Sequence, residues 1–560
     1  MLRKEIEMKN KMPSETNLSV HIINSPFQII FLILLVFAFV KLSYSQFQNV
    51  MISNLYAPNE TSIAINPNNP NQMVAGSNIL YNGEYRCGYY YSTNGGLNWS
   101  TGVLNSDSGK PYCDPGIAAD KLGNFYYTAD AGFWNSPPPY LCKLYCMKST
   151  NGGVNWLTNV FAQSAPKMVD MPTICIDKSN SIYQNNIYVV FTQADTFHSV
   201  NSHNDSSLAY FSRSTDHGVT FSLPIRLSKH GGIGISWSNS YLQGCVCCTG
   251  PNGEIYAAWI DSLGIFFDRS TNGGLTWLDN DVFISQVAGG WTHPAVSYCG
   301  YAGTPWIDCD YSNGPHRGTV YLAWSDTRNP NRSDIWLVKS SDMGNTWSQS
   351  IRLNNDPIVV NKSHFFTQIA IDQANGNVYS AFYDNRNYST GVNLDLFLAC
   401  SSDGGNTFAN VKVNTNPFTL CTISTGDYIG LAAYNNKVRP VWTEGAANNV
   451  ASIWTAIIDS MVIGIQPISD KIPDKFSLFQ NYPNPFNPET NIKFQIPKAS
   501  FVTVSVFDIT GRTIEKPVNE QLKAGIYEVN WNPANVSSGV YYYRMTAGDY
   551  IDTKKMVLVK

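Results

Sequence analysis

The sequence predicts an all-β protein, and three observations carry that prediction. Short runs rich in Val, Ile, Tyr, Phe and Trp recur along the chain, such as Ile187-Tyr188-Val189-Val190-Phe191 and Val320-Tyr321-Leu322-Ala323-Trp324, which is the composition of buried strands. Clusters of Gly, Asn, Asp and Ser separate them, and these residues close turns. One turn pattern returns six times, roughly sixty residues apart, the mark of a repeat architecture.

A chain of 560 residues exceeds one ordinary core, so more than one domain is expected. Hydrophobic residues make up 43% and aromatics 13%, enough for a packed interior. Only 14% of residues are charged and the net charge is −4, which excludes the clustered basic surface that a nucleic-acid partner requires.

At the N-terminus, Arg3, Lys4, Lys9 and Lys11 precede an apolar run from Phe27 to Val40, followed by Leu42-Ser43-Tyr44-Ser45-Gln46. That order is a secretory signal peptide, assigned to residues 1–45. The run is short of the roughly 20 apolar residues that span a bilayer. All twelve cysteines fall from Cys87 to Cys421, inside the exported body. Disulfides are therefore expected, and the Cys245-Val246-Cys247-Cys248 cluster lacks the spaced partner of a zinc site.

The six repeats are Ser92–Trp99, Ser149–Trp156, Ser214–Phe221, Ser270–Trp277, Ser340–Trp347 and Ser401–Phe408. In each, an Asn or Asp (Asn94, Asn151, Asp216, Asn272, Asp342, Asp403) accepts backbone hydrogen bonds and closes a hairpin. A Gly supplies positive φ, and the final aromatic packs between sheets. These acids and amides are structural. Two strands and a third precede or enter each turn and one follows, which makes a four-stranded blade. A seventh unit, Val438 to Glu444 with Ser452 to Ala456, lacks the turn pattern. The prediction for residues 46–460 is a β-propeller of seven blades, with six as the alternative. The leftover segment Phe47 to Tyr56 is expected to pair in the last blade.

The six copies resemble the Asp-box, or BNR, repeat of the sialidase superfamily. Sortilin-type receptors and some glucanases also carry it, so the box reports fold more than function. The familiar sialidase propeller has six blades, a departure from the count here.

Residues 461–475 read as a linker and 476–560 as a small immunoglobulin-like β-sandwich of short strands. The string Tyr482-Pro483-Asn484-Pro485-Phe486-Asn487-Pro488, the Ser538-Gly539-Val540-Tyr541 turn and the ending Lys554 to Lys560 resemble the type A C-terminal sorting domain of the bacterial type IX secretion system. The resemblance implies signal-peptide export to the periplasm, engagement by the type IX machinery, and a secreted or outer-membrane surface location.

Strand alternation places the six turns on one face of the propeller. On the other, second strands end in Asn78, Asp130, Gln193, Asp261, Asp326, Asp384 and Glu444, and first strands begin near Glu60, Asp114, Asp170 and Asp427. This acidic mouth is the candidate site. Arg328, Arg386, Asp326, Asp384, Asp114 and Asp170 are its candidate substrate-binding residues. A two-residue Asn435-Asn436 turn sets Asp427 opposite Glu444, and two facing carboxylates call for a shared proton or a cation. Both are thus candidate calcium ligands. The sialidase resemblance implies a Tyr nucleophile activated by Glu with an Asp as acid. Tyr428, Glu444 and Asp427 are the candidates for those roles. No Arg-Ile-Pro motif occurs, and Arg328, Arg386 and Arg439 come nearest to the sialidase arginine triad. An excess of acids repels an anionic sugar and suits calcium or a neutral glycan. Two functions remain open. One is a glycoside hydrolase, exo-α-sialidase-like, acting on extracellular glycans or glycoproteins. The other is a non-catalytic, surface-displayed propeller that binds glycan or protein.

Overall fold

The computed structural model describes residues 47–559 except 105–111, 132–142, 161–167, 195–205, 234–238, 293–302, 359–360, 389–391, 421–425, 446–449, 460–464, 470–471, 488–489, 523 and 532–535. The signal-peptide segment lies outside the described residues. Every named element is a β-strand. Among the described residues no helix is long and apolar enough to cross a membrane.

Up to Asp459 the strands form seven antiparallel sheets in sequence order, each with a four-stranded path. In the first, Asn59–Ile65, Met73–Tyr81, Glu84–Ser92 and Ser100–Val103 pair consecutively. Units two to six repeat this order, and Gly232–Ile233 adds a short edge to the third. The seventh holds Gly430–Tyr434, Lys437–Gly445 and Ala451–Asp459, and its fourth strand is Gln48–Ser53 from the other end of the chain. Gln48 faces Ile457 and Met51 faces Trp454 in that pairing. The first strands of the units touch in a closed cycle, the first unit against the seventh.

The repeated turn shows why units stack. Ser340 Oγ donates to Asp342 Oδ1 at 2.7 Å, and the Gly344 and Thr346 amides donate to Ser340 Oγ and Asp342 Oδ1 at 2.8 and 2.9 Å. The same three bonds recur at Ser92/Asn94, Ser149/Asn151, Ser214/Asp216, Ser270/Asn272 and Ser401/Asp403. Each turn leans on the preceding unit. Gly344, with φ +84°, has room for no side chain, because a Cβ there would lie 2.2 Å from the Phe267 ring of unit four. Trp347 packs edge-on against that same ring at 5.2 Å, and Trp277 packs likewise on Phe211 of unit three at 4.9 Å. The first turn leans on the seventh unit, where the buried Arg439 donates to Gly95 O at 2.9 Å.

Second strands such as Ile255–Asp261 and Val320–Asp326 are buried at every position, as expected of a strand covered on both faces. Disulfides were expected, and none joins two of the nine cysteines among the described residues in this structure.

The C-terminal region has two four-stranded sheets. Ile492, Phe494 and Val529 from one and Val504, Tyr543, Met545 and Met556 from the other share a single apolar cluster. The reading of 461–475 as a linker needs correction: Ile465–Ser469 is a strand of this region and pairs with Gly525–Trp531. Thr513–Leu522 is a further strand that the sequence pattern hid, because Glu515, Lys516, Asn519 and Glu520 interrupt its apolar alternation.

Candidate functional site

The site begins with a backbone irregularity. Five first strands break register near their start, at Asn59/Ser62, Cys113/Gly116, Asp170/Thr173, Gln243/Val246 and Phe365/Gln368. Within each break one residue adopts positive φ: Glu60, Asp114, Met171, Gly244 and Phe366. A bulge of this kind re-aims side chains, and a left-handed non-Gly residue there carries strain. In units one and two the strained residue is itself an acid; in unit three it follows Asp170.

These bulges bring acids together. Asn78 Nδ2 donates to Glu60 Oε2 at 2.5 Å and to Asp114 Oδ1 at 3.4 Å, and the Asp114 amide donates back to Asn78 Oδ1 at 2.9 Å. The Met171 amide donates to Asp114 Oδ2 at 3.1 Å. Gln243 Nε2 donates to Asp170 Oδ2 at 2.7 Å, and Thr192 Oγ1 holds the Gln243 amide oxygen at 2.7 Å. Carboxylate oxygens of Asp114, Asp130 and Asp170 lie within 4.8 Å of one another, so these three are the residues best placed to hold a cation.

Crowding changes their chemistry. Burial, then the charges of Asp114 and Asp427, push the Glu60 carboxyl well above its usual range. Burial and Asp114 do the same to Asp170. Asp427 is pushed up to about 8 by burial and by Asp114. Glu60 and Asp170 each share a hydrogen bond with Asp114 that favours their protonated form. Three of the carboxyls at the mouth, Glu60, Asp170 and Asp427, are therefore held towards their protonated form.

Thr61, Pro115, Met171 and Tyr428 each come directly after one of these four acids, and they line a cavity of about 380 Å³ between the first strands. The Tyr428 side chain is buried and lies 6.0 Å from the Trp306 ring. Burial, then Asp114 and Glu60, push its phenol up.

The two-residue turn at Asn435-Asn436 forms, both residues have positive φ, and Tyr434 faces Lys437. The expected facing of Asp427 and Glu444 does not follow. The ladder stops at Gly430 opposite Val441, and the left-handed Gly426 starts the chain on another course. Asp427 meets Asp114 and Glu60 across the mouth. Glu444 stands apart: Trp442 Nε1 donates to it at 2.9 Å, and burial pushes it up to about 7. Tyr428 has Asp114 and Glu60 for neighbours rather than Glu444. As a calcium pair, Asp427 and Glu444 are thus not assembled.

The arginines do not converge either. Arg328 clasps Asp326 of its own unit at 2.6 Å and lies 4.1 Å over the Trp336 ring. Arg386 clasps Asp384 at 2.6 Å and lies 4.1 Å over Phe397. Arg439 is at the opposite end, among the Gly95, Val438 and Ile458 carbonyls. Sequence reasoning missed a second buried charge cluster between units five and six. There Arg332 pairs with Asp334 at 2.5 Å and Asp356 at 3.0 Å, and His364 Nε2 lies 3.2 Å from Asp356 and 3.3 Å from Asp384. Its members come from strand ends and loops with no common motif, and the Arg332 guanidinium already sits between Asp334 and Asp356.

Comparison with known proteins divides the chain. Residues 480–560 match the model of the secretion system C-terminal sorting domain. This is the sorting domain of type IX secretion. It marks the chain for the cell surface or the extracellular space. No curated protein matches the chain. Among solved structures, a Dyadobacter fermentans protein of unknown function is 12% identical with TM-score 0.42, over 74% of this chain and 98% of that one. A leech intramolecular trans-sialidase is 11% identical with TM-score 0.41, over 60% and 67%. An α-L-arabinofuranosidase from Fusarium graminearum is 13% identical with TM-score 0.37, over 66% and 98%. At these scores none of the three bears on the chemistry of this chain.

Proposed function

We propose that residues 46–460 are a seven-bladed propeller, that 476–560 is an immunoglobulin-like sandwich that sorts it for export, and that the channel mouth hydrolyses an extracellular glycan. The observation that carries the reading is the acid cluster: Glu60, Asp114, Asp170 and Asp427 come from four units, three of them held protonated beside the fourth. Glycoside hydrolysis needs that pairing, a carboxylic acid to protonate the leaving oxygen and a carboxylate to meet the cationic sugar. Asp427 is the acid in this reading, with Asp114 the neighbouring carboxyl at the centre of the cluster. Tyr428 forms the wall beside them, and Glu444 is a second proton donor at the rim. Arg328 and Arg386 keep Asp326 and Asp384 in place rather than gripping a sugar carboxylate. The substrate of this mouth is accordingly a neutral glycan, and the exo-α-sialidase form of the reading loses its arginines.

Release of reducing ends from a panel of neutral and sialylated oligosaccharides tests it. Turnover of a neutral member that Asp427→Asn abolishes, with the fold intact, supports the reading. Turnover of sialylated members alone overturns the substrate assignment.

The triangle of Asp114, Asp130 and Asp170 favours a second reading, a calcium-dependent binding propeller. In that case the panel shows no turnover, added Ca²⁺ raises the melting temperature, and Asp114→Asn removes the rise.

A further inference from the structure

Lower in the channel, the first strands of units three and four, Met168–Ile176 and Gln243–Thr249, run side by side. Thr173 Oγ1 donates to Cys245 O at 2.9 Å, and Thr249 Oγ1 donates to Ile176 O at 3.2 Å. These two bonds fix the level of one strand against the other. Cys175 and Cys247 fall at the same level between them. Both thiols are half-buried, both residues line the channel cavity, and Cys247 is the nearest titratable neighbour acting on Cys175. Cys247 Sγ also rests 4.0 Å from Thr173 O and 3.9 Å from Tyr188 O.

Strand alternation separates Cys248 from this pair, and a hydroxyl engages Cys245. Cys248 turns to the other side and joins Cys309 in an apolar core cluster, and Cys245 Sγ lies 3.5 Å from the Thr192 hydroxyl. We propose that Cys175 and Cys247 close a disulfide across the channel wall, stitching unit three to unit four in the exported protein.

The reaction balances with a disulfide-bonded donor, a small molecule or a thiol oxidase of the oxidising compartment. The Cys247 thiolate attacks one donor sulfur, the donor S–S bond breaks, and a mixed disulfide forms. The Cys175 thiolate then attacks Cys247 Sγ and releases the donor as its dithiol. Two thiols lose two protons and two electrons, and the donor gains both. In the folded protein, burial and the neighbouring thiol push the Cys175 thiol well up, against the opposing charge of Lys178. The thiolate is therefore scarce after folding. The bond forms while the strands are still docking, and a reductant reaches it slowly afterwards.

Peptide mapping of the full chain secreted from an oxidising compartment tests this. The protein is alkylated under denaturing, non-reducing conditions. The expected result is a linked pair of peptides carrying Cys175 and Cys247, two hydrogens lighter than their sum, that separates on reduction. The melting temperature should fall by about 5 °C on reduction. Cys175→Ser and Cys247→Ser should each cost the same, with no further loss when combined. Alkyl label on both cysteines of the non-reduced protein overturns the proposal, and so does a linked peptide joining Cys247 to any other cysteine. The mapping uses the unmodified chain, so it decides even if the serine variants fail to fold.

Discussion

The two ends of the same sheets use the same residue type in opposite ways. At the turn end, Asp342 sits in the open among donors. Hydrogen bonds from the Thr346 hydroxyl and amide and from Ser340 hold it at about 2. At the mouth end, Asp427 is enclosed beside other acids and is held at about 8. An aspartate surrounded by N–H and O–H groups strengthens a fold. One surrounded by carboxyls weakens it and keeps a proton ready near neutral pH. The turn end thus ties neighbouring sheets together, and the other end gathers carboxyls with raised values.

The largest blow to the turn end should come from Arg439→Ala. It leaves three backbone carbonyls without their donor where unit seven meets unit one, and should cost about 3 kcal/mol by denaturant titration. A loss under 1 kcal/mol would mean the ring does not depend on this junction.

Gly344→Ala should follow at about 2–3 kcal/mol, since its Cβ would enter the Phe267 ring and its φ is +84°. Thermal unfolding reads this directly, and a companion Phe267→Leu change should recover part of the loss.

At the mouth the sign reverses. Between the unfolded value near 3.9 and the folded value of about 8, native Asp427 keeps a proton that the unfolded chain has lost. Stability therefore falls as pH rises through that window. Asp427→Asn should stabilise by about 1 kcal/mol at pH 8, change little at pH 4 and flatten the slope between. A parallel shift at both pH values would show that the gain is packing rather than charge.

The smallest effect belongs to Asp342→Asn, within about 0.5 kcal/mol at pH 7. Three of the six turns already carry Asn at that position. The wild-type residue, with its value lowered, loses its contribution as pH falls from near 4 to about 2, and the variant should melt without that acid limb.

Much of the turn end was legible in the sequence because its information is local. Ser340, Asp342, Gly344 and Trp347 lie within eight residues and carry their own hydrogen-bond logic. The strand Gln48–Ser53 was also expected, as the segment left over once seven units were counted. The mouth was legible as a list of acids, but one of its pairings was misplaced. Asp427 was matched to Glu444 by counting along one hairpin, and a left-handed Gly426 at the strand entrance redirected it towards Asp114 in another unit. Positive φ at Glu60 and Phe366 gives no sign in the sequence, since neither residue favours it. Arg328 and Arg386 failed as ligands for a related reason. Their nearest carboxylates, two residues back, were counted as site residues and turned out to be their partners.

The pairing of Gln48–Ser53 with Ala451–Asp459 has a consequence for manufacture. The seventh sheet needs strands from both extremes of the propeller, and the sorting domain follows directly behind the later one. A chain interrupted anywhere before Ala451 lacks both the strand that receives Gln48–Ser53 and the address that sends it outward. Completion of the fold and permission to leave are written on the same stretch of polypeptide, so an unfinished ring carries no export label.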